Sequence, residues 1–466
     1  MPSLTRESRR PPRVREHRHA PWFAVGAVCV GAFMGQLDAS IVTLAFPALQ
    51  REFGASLAGV QWVSLGYLLV LVALLAGAGR VADTAGRKLI YLYGFVVFTA
   101  ASAACGLAPS LPALVAFRLV QAAGAAMLQA NSVALVVSSV PRSRTRAALG
   151  VQAAAQALGL ALGPALGGVL VATLGWRWVF WINVPVGLVA IVAGHYLLPR
   201  TRLRRHARRF DLAGLALLAT ATTCLLLAAS AVSGLALPPW SPPVLLGAAV
   251  AAGAAFWRWE QRAPSALIDV GLLRGRAVGL GLVGALGGYL VLFGPLVLVP
   301  QVLVATGAGE LAAGLVLTAL PAGFALAALG AERALPARWG NRLRCVAGAA
   351  ATAAGAGLLA LAPGRAEALT FCLVAMGAGL GTFLPANNSV VMAAVPERMS
   401  GTAGGMVNMA RGIGTAFGIA VVTLCLHLVA SYLPAARVAL GVLAAVAALT
   451  AFTAARLRDG DAGEGG

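Results

Sequence analysis

Charge is what this sequence has least of. Only 11% of its 466 residues are Asp, Glu, Lys or Arg, where soluble domains carry about 25%. Acidic side chains number fifteen, and lysine occurs once, as Lys88. Such a chain does not clothe a soluble globule. The five histidines are scattered, and no H-E-x-x-H or nucleophile-elbow pattern accompanies them, so the reading is not an enzyme. A polar filter sequence of the kind that lines a channel is missing too. The six cysteines form no C-x-x-C pair and none sits beside a histidine. They read as small buried hydrophobes rather than disulfides or metal ligands. No cofactor site is expected.

What is there is apolar. Hydrophobic residues make up 60% of the chain, mean hydropathy is +0.86, and apolar stretches recur from Trp22 to Phe452. This is the composition of an all-α polytopic membrane protein. The first stretch is too long for a cleaved leader and lacks a small-residue cleavage site, so it is expected to remain as a span. A net charge of +20 raises nucleic acid as a partner. The basic residues instead fall in short runs between apolar segments without aromatic interleaving, and no helix is free to enter a groove. The expected partners are the bilayer, protons and a small amphipathic substrate, with the chain acting as a monomer.

Windows of about 20 apolar residues, bounded by charges and Gly/Pro breaks, predict fourteen spans: 22–47, 58–78, 89–108, 112–137, 147–172, 178–198, 211–233, 243–259, 277–302, 311–330, 344–362, 367–392, 402–426 and 434–455. The eighth is the shortest. Of 35 basic residues, 29 fall in both tails and one alternate set of loops, against four in the other set (Arg51, Arg177, Arg365, Arg437), while Arg118 and Arg411 lie inside spans. That asymmetry predicts cytoplasmic termini and an even span number.

An internal repeat separates fourteen spans from twelve. "QANSVALV" (129–136) echoes "ANNSVVMA" (386–393), "GLALG" (159–163) echoes "GTAFG" (414–418), and "AGRK" (85–88) echoes "WGNR" (339–342), at offsets of 257, 255 and 254. The predicted organisation is a basic tail (1–21), a six-helix bundle (22–198), a linker with two extra spans (199–275), a second six-helix bundle (276–455) and a short tail (456–466). Both tails read as disordered. Twinned halves are a transporter signature, with the substrate site between them near mid-membrane.

Several motifs carry a resemblance. "GRVADTAGRK" (79–88) resembles the loop signature of the major facilitator superfamily. Gly79 and Gly86 allow a tight turn, and Asp83, Arg87 and Lys88 offer charge pairs made in one conformation and broken in another. A solvated basic turn accounts for the charges but not for the glycine spacing. In the family, the Asp and Arg latch the cytoplasmic side against the second half. This chain departs at Thr84, where the family usually has Arg, and its second copy has Ala337 in place of the Asp. "RLVQAAGAAML" (118–128) resembles the span-4 signature, with Arg118, Gln121 and Gly124. "GLALGPALGG" (159–168) resembles the antiporter helix motif, with Gly159, Gly163, Pro164, Gly167 and Gly168. Glycines at every fourth position let helices approach, and proline kinks; plain small-residue packing fits this segment equally well. "LDASIVTLAFP", "QWVSLGYLL", "WRWVFWINVPVG", "FDLAG" and "GTAGGMVNMARGIGTAFGIAV" follow in the order of the fourteen-span drug:proton antiporter branch, the EmrB/QacA type. The resemblance implies proton-driven, multi-pass export of drugs or antibiotics across the cell membrane by alternating access. A uniporter or proton symporter importing a small organic solute is the alternative within the same fold.

One acid stands apart. Asp38 lies about 24 Å into the first span and Arg118 about 9 Å from the other face in the fourth, which puts them at comparable depth in a core of about 30 Å. Burial favours the neutral acid and a nearby arginine favours the carboxylate, so a rearrangement that changes either one changes proton affinity. Asp38 is read as the proton carrier and Arg118 as its tuner, with Gln121 holding a bridging water. A permanent structural ion pair is the competing reading, though ionisable groups inside membranes are functional by default. Arg411 has no intramembrane acid in its own half; facing the cavity and packing against span-end carbonyls are equally open readings. Tyr67, Asn131, Asn387 and Asn388 are further candidate cavity residues. A cavity with Asp38 as its only acid suits neutral, anionic or monocationic amphiphiles better than dications.

Overall fold

A computed structural model of the chain describes residues 7, 10–141, 144–200, 211–263, 271, 275–336, 339–361, 366–395, 400–429 and 431–457. The long elements among them are helical: α1 (Ala20–Phe53), α2 (Trp62–Ala85), α3 (Arg87–Gly106), α4 (Leu111–Ser139), α5 (Thr145–Thr173), α6 (Trp178–Leu197), α7 (Leu212–Val232), α8 (Ser241–Glu260), α9 (Arg276–Ala305), α10 (Glu310–Leu317 continuing as Ala319–Ala334), α11 (Asn341–Leu361), α12 (Ala366–Ala393), α13 (Ser400–Leu428) and α14 (Tyr432–Ala455). Each matches an expected window. Among the described residues, thirteen helices are long and apolar enough to cross a bilayer. The one that falls short is α8, whose 20 residues are diluted by Pro242, Pro243, Arg258 and Glu260.

Boundaries moved where local chemistry overrode composition. The expected first span stops at Pro47, yet α1 continues to Phe53. The chain tightens into a 3-10 turn at Val42–Ala45, and Pro47 then sits in the first turn of the segment Phe46–Phe53, where its missing N–H is no loss. Gly54 ends the helix with φ +58°, a conformation that favours glycine. The expected turn at Gly79 does not form. Gly79 lies inside α2, and the chain reverses at Gly86, φ +119°. The amino-terminal segment was expected to be disordered, but it forms a helical turn at Pro12–Arg15 and buries Glu7, whose carboxylate accepts from the Leu89 N–H at 3.4 Å. That contact caps the start of α3, where free N–H groups favour an anion.

Helices of the first half pack on one another, with α1 against α5 and α3 against α4; in the second half α9 packs against α13 and α11 against α12. The internal repeat is visible in how closely these pairs approach. A Cβ on Gly159 of α5 would strike the Phe33 carbonyl oxygen of α1, and one on Gly414 of α13 would strike the Leu286 carbonyl oxygen of α9. Likewise Gly124 would meet Gly94 O at 2.9 Å, and Gly379 would meet Gly348 O at 2.5 Å. These contacts set the register between halves, pairing Phe33 with Leu286 and Gly124 with Gly379.

The helices α7 and α8 pack on each other, and α7 also touches α2 and α13, one from each half. The "FDLAG" motif explains the hairpin's base, apart from Phe210, which is outside the described residues. Asp211 caps α7, accepting from the Gly214 N–H at 2.8 Å and from the Trp259 indole N–H of α8 at 2.7 Å. At the other end Gln61 Nε2 donates to Ser230 Oγ at 2.9 Å, tying α7 to the start of α2.

Candidate functional site

The chain brings Asp38, Arg118 and Gln121 into direct contact. Asp38 is fully buried and Arg118 is 1% exposed, with Arg118 Nη1 2.7 Å from Asp38 Oδ2. Arg118 and Gln121 are three apart on α4 and therefore share a face. Nη1 also reaches Gln121 Oε1 at 2.6 Å, while Nε donates to the Val63 carbonyl of α2 at 2.9 Å. The second carboxylate oxygen accepts from Gln121 Nε2 at 3.0 Å and from Asn183 Nδ2 of α6 at 3.1 Å. Gln121 itself is held by Ser102 Oγ of α3 at 2.6 Å. The guanidinium carbon stands 4.0 Å from the Tyr67 ring centroid and 5.7 Å from that of Phe180. Gln121 thus touches both charged groups itself.

Every member has several partners, which a buried charge pair requires if attraction is to offset desolvation. Besides Asp38, Arg118 is met by Gln121, the Val63 carbonyl and two aromatic faces. Asn183 was missed by the sequence reading, because a lone Asn in "WINVPVG" carries no spacing signal; only the turn at Trp178–Trp181 aims it inward.

Beside this cluster lies a cavity between the halves. Its polar walls are Gln36 (α1), Tyr67 (α2), Gln129 (α4), Asn408, Arg411 and Thr415 (α13); its apolar walls include Leu68, Leu71, Val72, Leu75 and Phe293. Of the candidates read from the sequence, Tyr67 and Arg411 line it. Asn131 Nδ2 donates back to Met127 O at 2.8 Å, Asn387 Nδ2 donates to Gly281 O of α9 at 2.8 Å, and Asn388 is absent from the lining. Arg411 donates through Nη2 to Gln129 Oε1 and lies 5.9 Å from the Tyr289 ring. Arg411 thus stands in the cavity wall.

The antiporter-like helix motif presents two faces. Gly159, Gly163 and Gly167 face α1, where Cβ atoms would meet Phe33 O, Ser40 Oγ and, at 3.2 Å, Ile41 O. Pro164 and Gly168 face the second half: a Cβ on Gly314 of α10 would lie 2.5 Å from Pro164 O and 2.9 Å from Gly168 Cα. The halves also meet where Gln301 Nε2 at the end of α9 donates to Gln50 Oε1 at the end of α1, 2.9 Å.

Of the expected latch, Lys88 and its surroundings are described. Lys88 is buried and donates to the His195 carbonyl of α6 at 2.7 Å, within its own half. The Asp83 side chain and Ala337 lie outside the described residues.

The comparisons agree with this architecture. The sequence profile of the Major Facilitator Superfamily matches residues 28–419. The tetracenomycin C resistance and export protein of Streptomyces glaucescens is 34% identical over 87% of this chain and 76% of its own length. The riboflavin transporter RibZ of Clostridioides difficile is 29% identical over 85% of this chain and 87% of its own. Other relatives are named for multidrug or methylenomycin A resistance. Among solved structures, the inward-open xylose transporter XylE of E. coli superposes with a TM-score of 0.66 at 13% identity, covering 94% of this chain and 96% of that one. By sequence profile, relatives and fold, the chain belongs to the major facilitator superfamily of membrane transporters.

Proposed function

We propose that this protein is a proton-coupled exporter of amphipathic small molecules, a drug:proton antiporter of the cytoplasmic membrane working by alternating access. In this reading it has fourteen spans, α8 included, and cytoplasmic termini. It acts as a monomer and draws its energy from the proton gradient. The contacts Gln50–Gln301 and Gly168–Gly314 close the external side. Rocking the halves apart there opens the cavity outward and changes the surroundings of Asp38.

The observation that carries the proposal is the buried Asp38 carboxylate held by Arg118, Gln121 and Asn183 one aromatic ring away from the cavity. The motif set and the relatives named for antibiotic export support the outward direction. The riboflavin transporter among the relatives keeps import by the same fold as the second reading. The deciding experiment is substrate-driven proton flux in proteoliposomes with Asp38→Asn. Asparagine keeps the shape and one acceptor for Arg118 but does not titrate. Expected is loss of coupled flux with substrate binding retained; normal coupling in the variant overturns the proposal. Protons moving with the substrate rather than against it identify an importing symporter.

A further inference from the structure

We infer that the cavity takes an anionic amphiphile, whose acidic group docks between the Arg411 guanidinium and the Tyr67 hydroxyl. This names a substrate class for the cavity and so rests on the proposed transport function. Three observations lead to it. First, Arg411 is the one charged residue among the lining residues described. It has no carboxylate within ion-pair distance among the described residues, and its hydrogen-bond partner is the neutral Gln129 amide. A guanidinium carries five donors in a fork that matches a carboxylate, so most of them remain for a ligand. Second, the Tyr67 side chain is 1% exposed, and its hydroxyl has no hydrogen-bond partner. Buried hydroxyls are nearly always paired, and an incoming acceptor would satisfy this one. Third, the nearest acid is already committed. Both oxygens of Asp38 are bonded, one of them to Arg118, so the cavity is left with the uncompensated positive charge of Arg411.

The apolar body of such a ligand would lie along Leu68, Leu71, Val72 and Phe293. Its acidic end would press on the ring that covers Arg118 at 4.0 Å. Tyr67 is thereby a positioning residue between ligand and ion pair.

The test uses the full-length protein in an uncharged detergent and three matched fluorescent probes: anthracene-2-carboxylate, its carboxamide and the corresponding anthracenylmethylammonium. Binding is measured by titration against protein-free micelles. The carboxylate is expected to bind about tenfold or more tightly than the ammonium, the scale of one charge-assisted hydrogen bond. Arg411→Gln removes that preference and leaves the carboxamide unchanged, and Arg411→Lys restores part of it, so an unfolded glutamine variant does not hide the answer. Tyr67→Phe weakens carboxylate and carboxamide alike by about threefold to tenfold, the scale of a neutral hydrogen bond. Equal or tighter ammonium binding, no binding of any probe, or a charge preference that survives Arg411→Gln overturns the inference. Ammonium preference beside intact Asp38-dependent proton flux refutes the substrate class alone. Carboxylate preference without that flux refutes the antiport reading alone.

Discussion

The two halves share their packing but not their polar core. The close contacts that pair Phe33 with Leu286 and Gly124 with Gly379 carry Asp38 onto Val291, Arg118 onto Leu373 and Gln121 onto Met376. All three counterparts are buried and apolar. The same helix pairs therefore come together around a charged cluster in one half and around ordinary hydrophobic side chains in the other. Buried ion pairs are weak contributors to stability, and well-packed apolar replacements often match them. The second half packs the same helices without charges, as expected if the cluster serves the proposed transport rather than the architecture.

The comparison breaks most decisively at Arg118. Replaced alone by leucine, it leaves Asp38 buried without its cation, at an expected cost of about 3–5 kcal/mol, seen as loss of the folded protein on size-exclusion chromatography. The triple replacement Asp38→Val, Arg118→Leu and Gln121→Met rewrites the cluster in the chemistry of the second half. It is expected to recover most of that loss in thermal unfolding while transporting nothing against a proton gradient. A triple variant as unstable as the single one would show that the cluster is structural after all. A smaller effect tests what the halves have in common. Gly159→Ala and Gly414→Ala each drive a Cβ into the facing backbone, and overpacking of this kind costs about 1–3 kcal/mol. Matched losses in melting temperature are expected, and a clear mismatch would break the symmetry of the scaffold. The mildest change in stability, with a large one in cycling, comes from linking the halves. Cysteines at Gln50 and Gln301, in a chain whose six native cysteines are replaced, joined by a short cleavable thiol crosslinker, are expected to arrest transport, because the halves can no longer part there. Reduction should restore it. Full transport while linked would show that this seam does not open.

The span positions were legible because each needs a long apolar window and little else. The ion pair was legible because a single acid and a single arginine at matching depth leave few alternatives. What stayed hidden depends on helical facing. A helix surrounded by lipid on one side and protein on the other is apolar all round, so hydropathy does not tell which of Gln36, Gln129, Asn131 or Asn388 looks inward. Asn183 depends on a one-turn offset at the start of α6, and the run of α2 through Gly79 depends on packing that outweighs glycine's weak helix propensity.

Consider finally α5, which offers glycine to α1 at Gly159, Gly163 and Gly167 and meets Gly314 at Pro164 and Gly168. Interlocking side chains act like gear teeth, and helices that mesh must climb over one another to shift. In the proposed cycle, a glycine-lined edge leaves few teeth to climb, so the bearing would be built from what its residues omit.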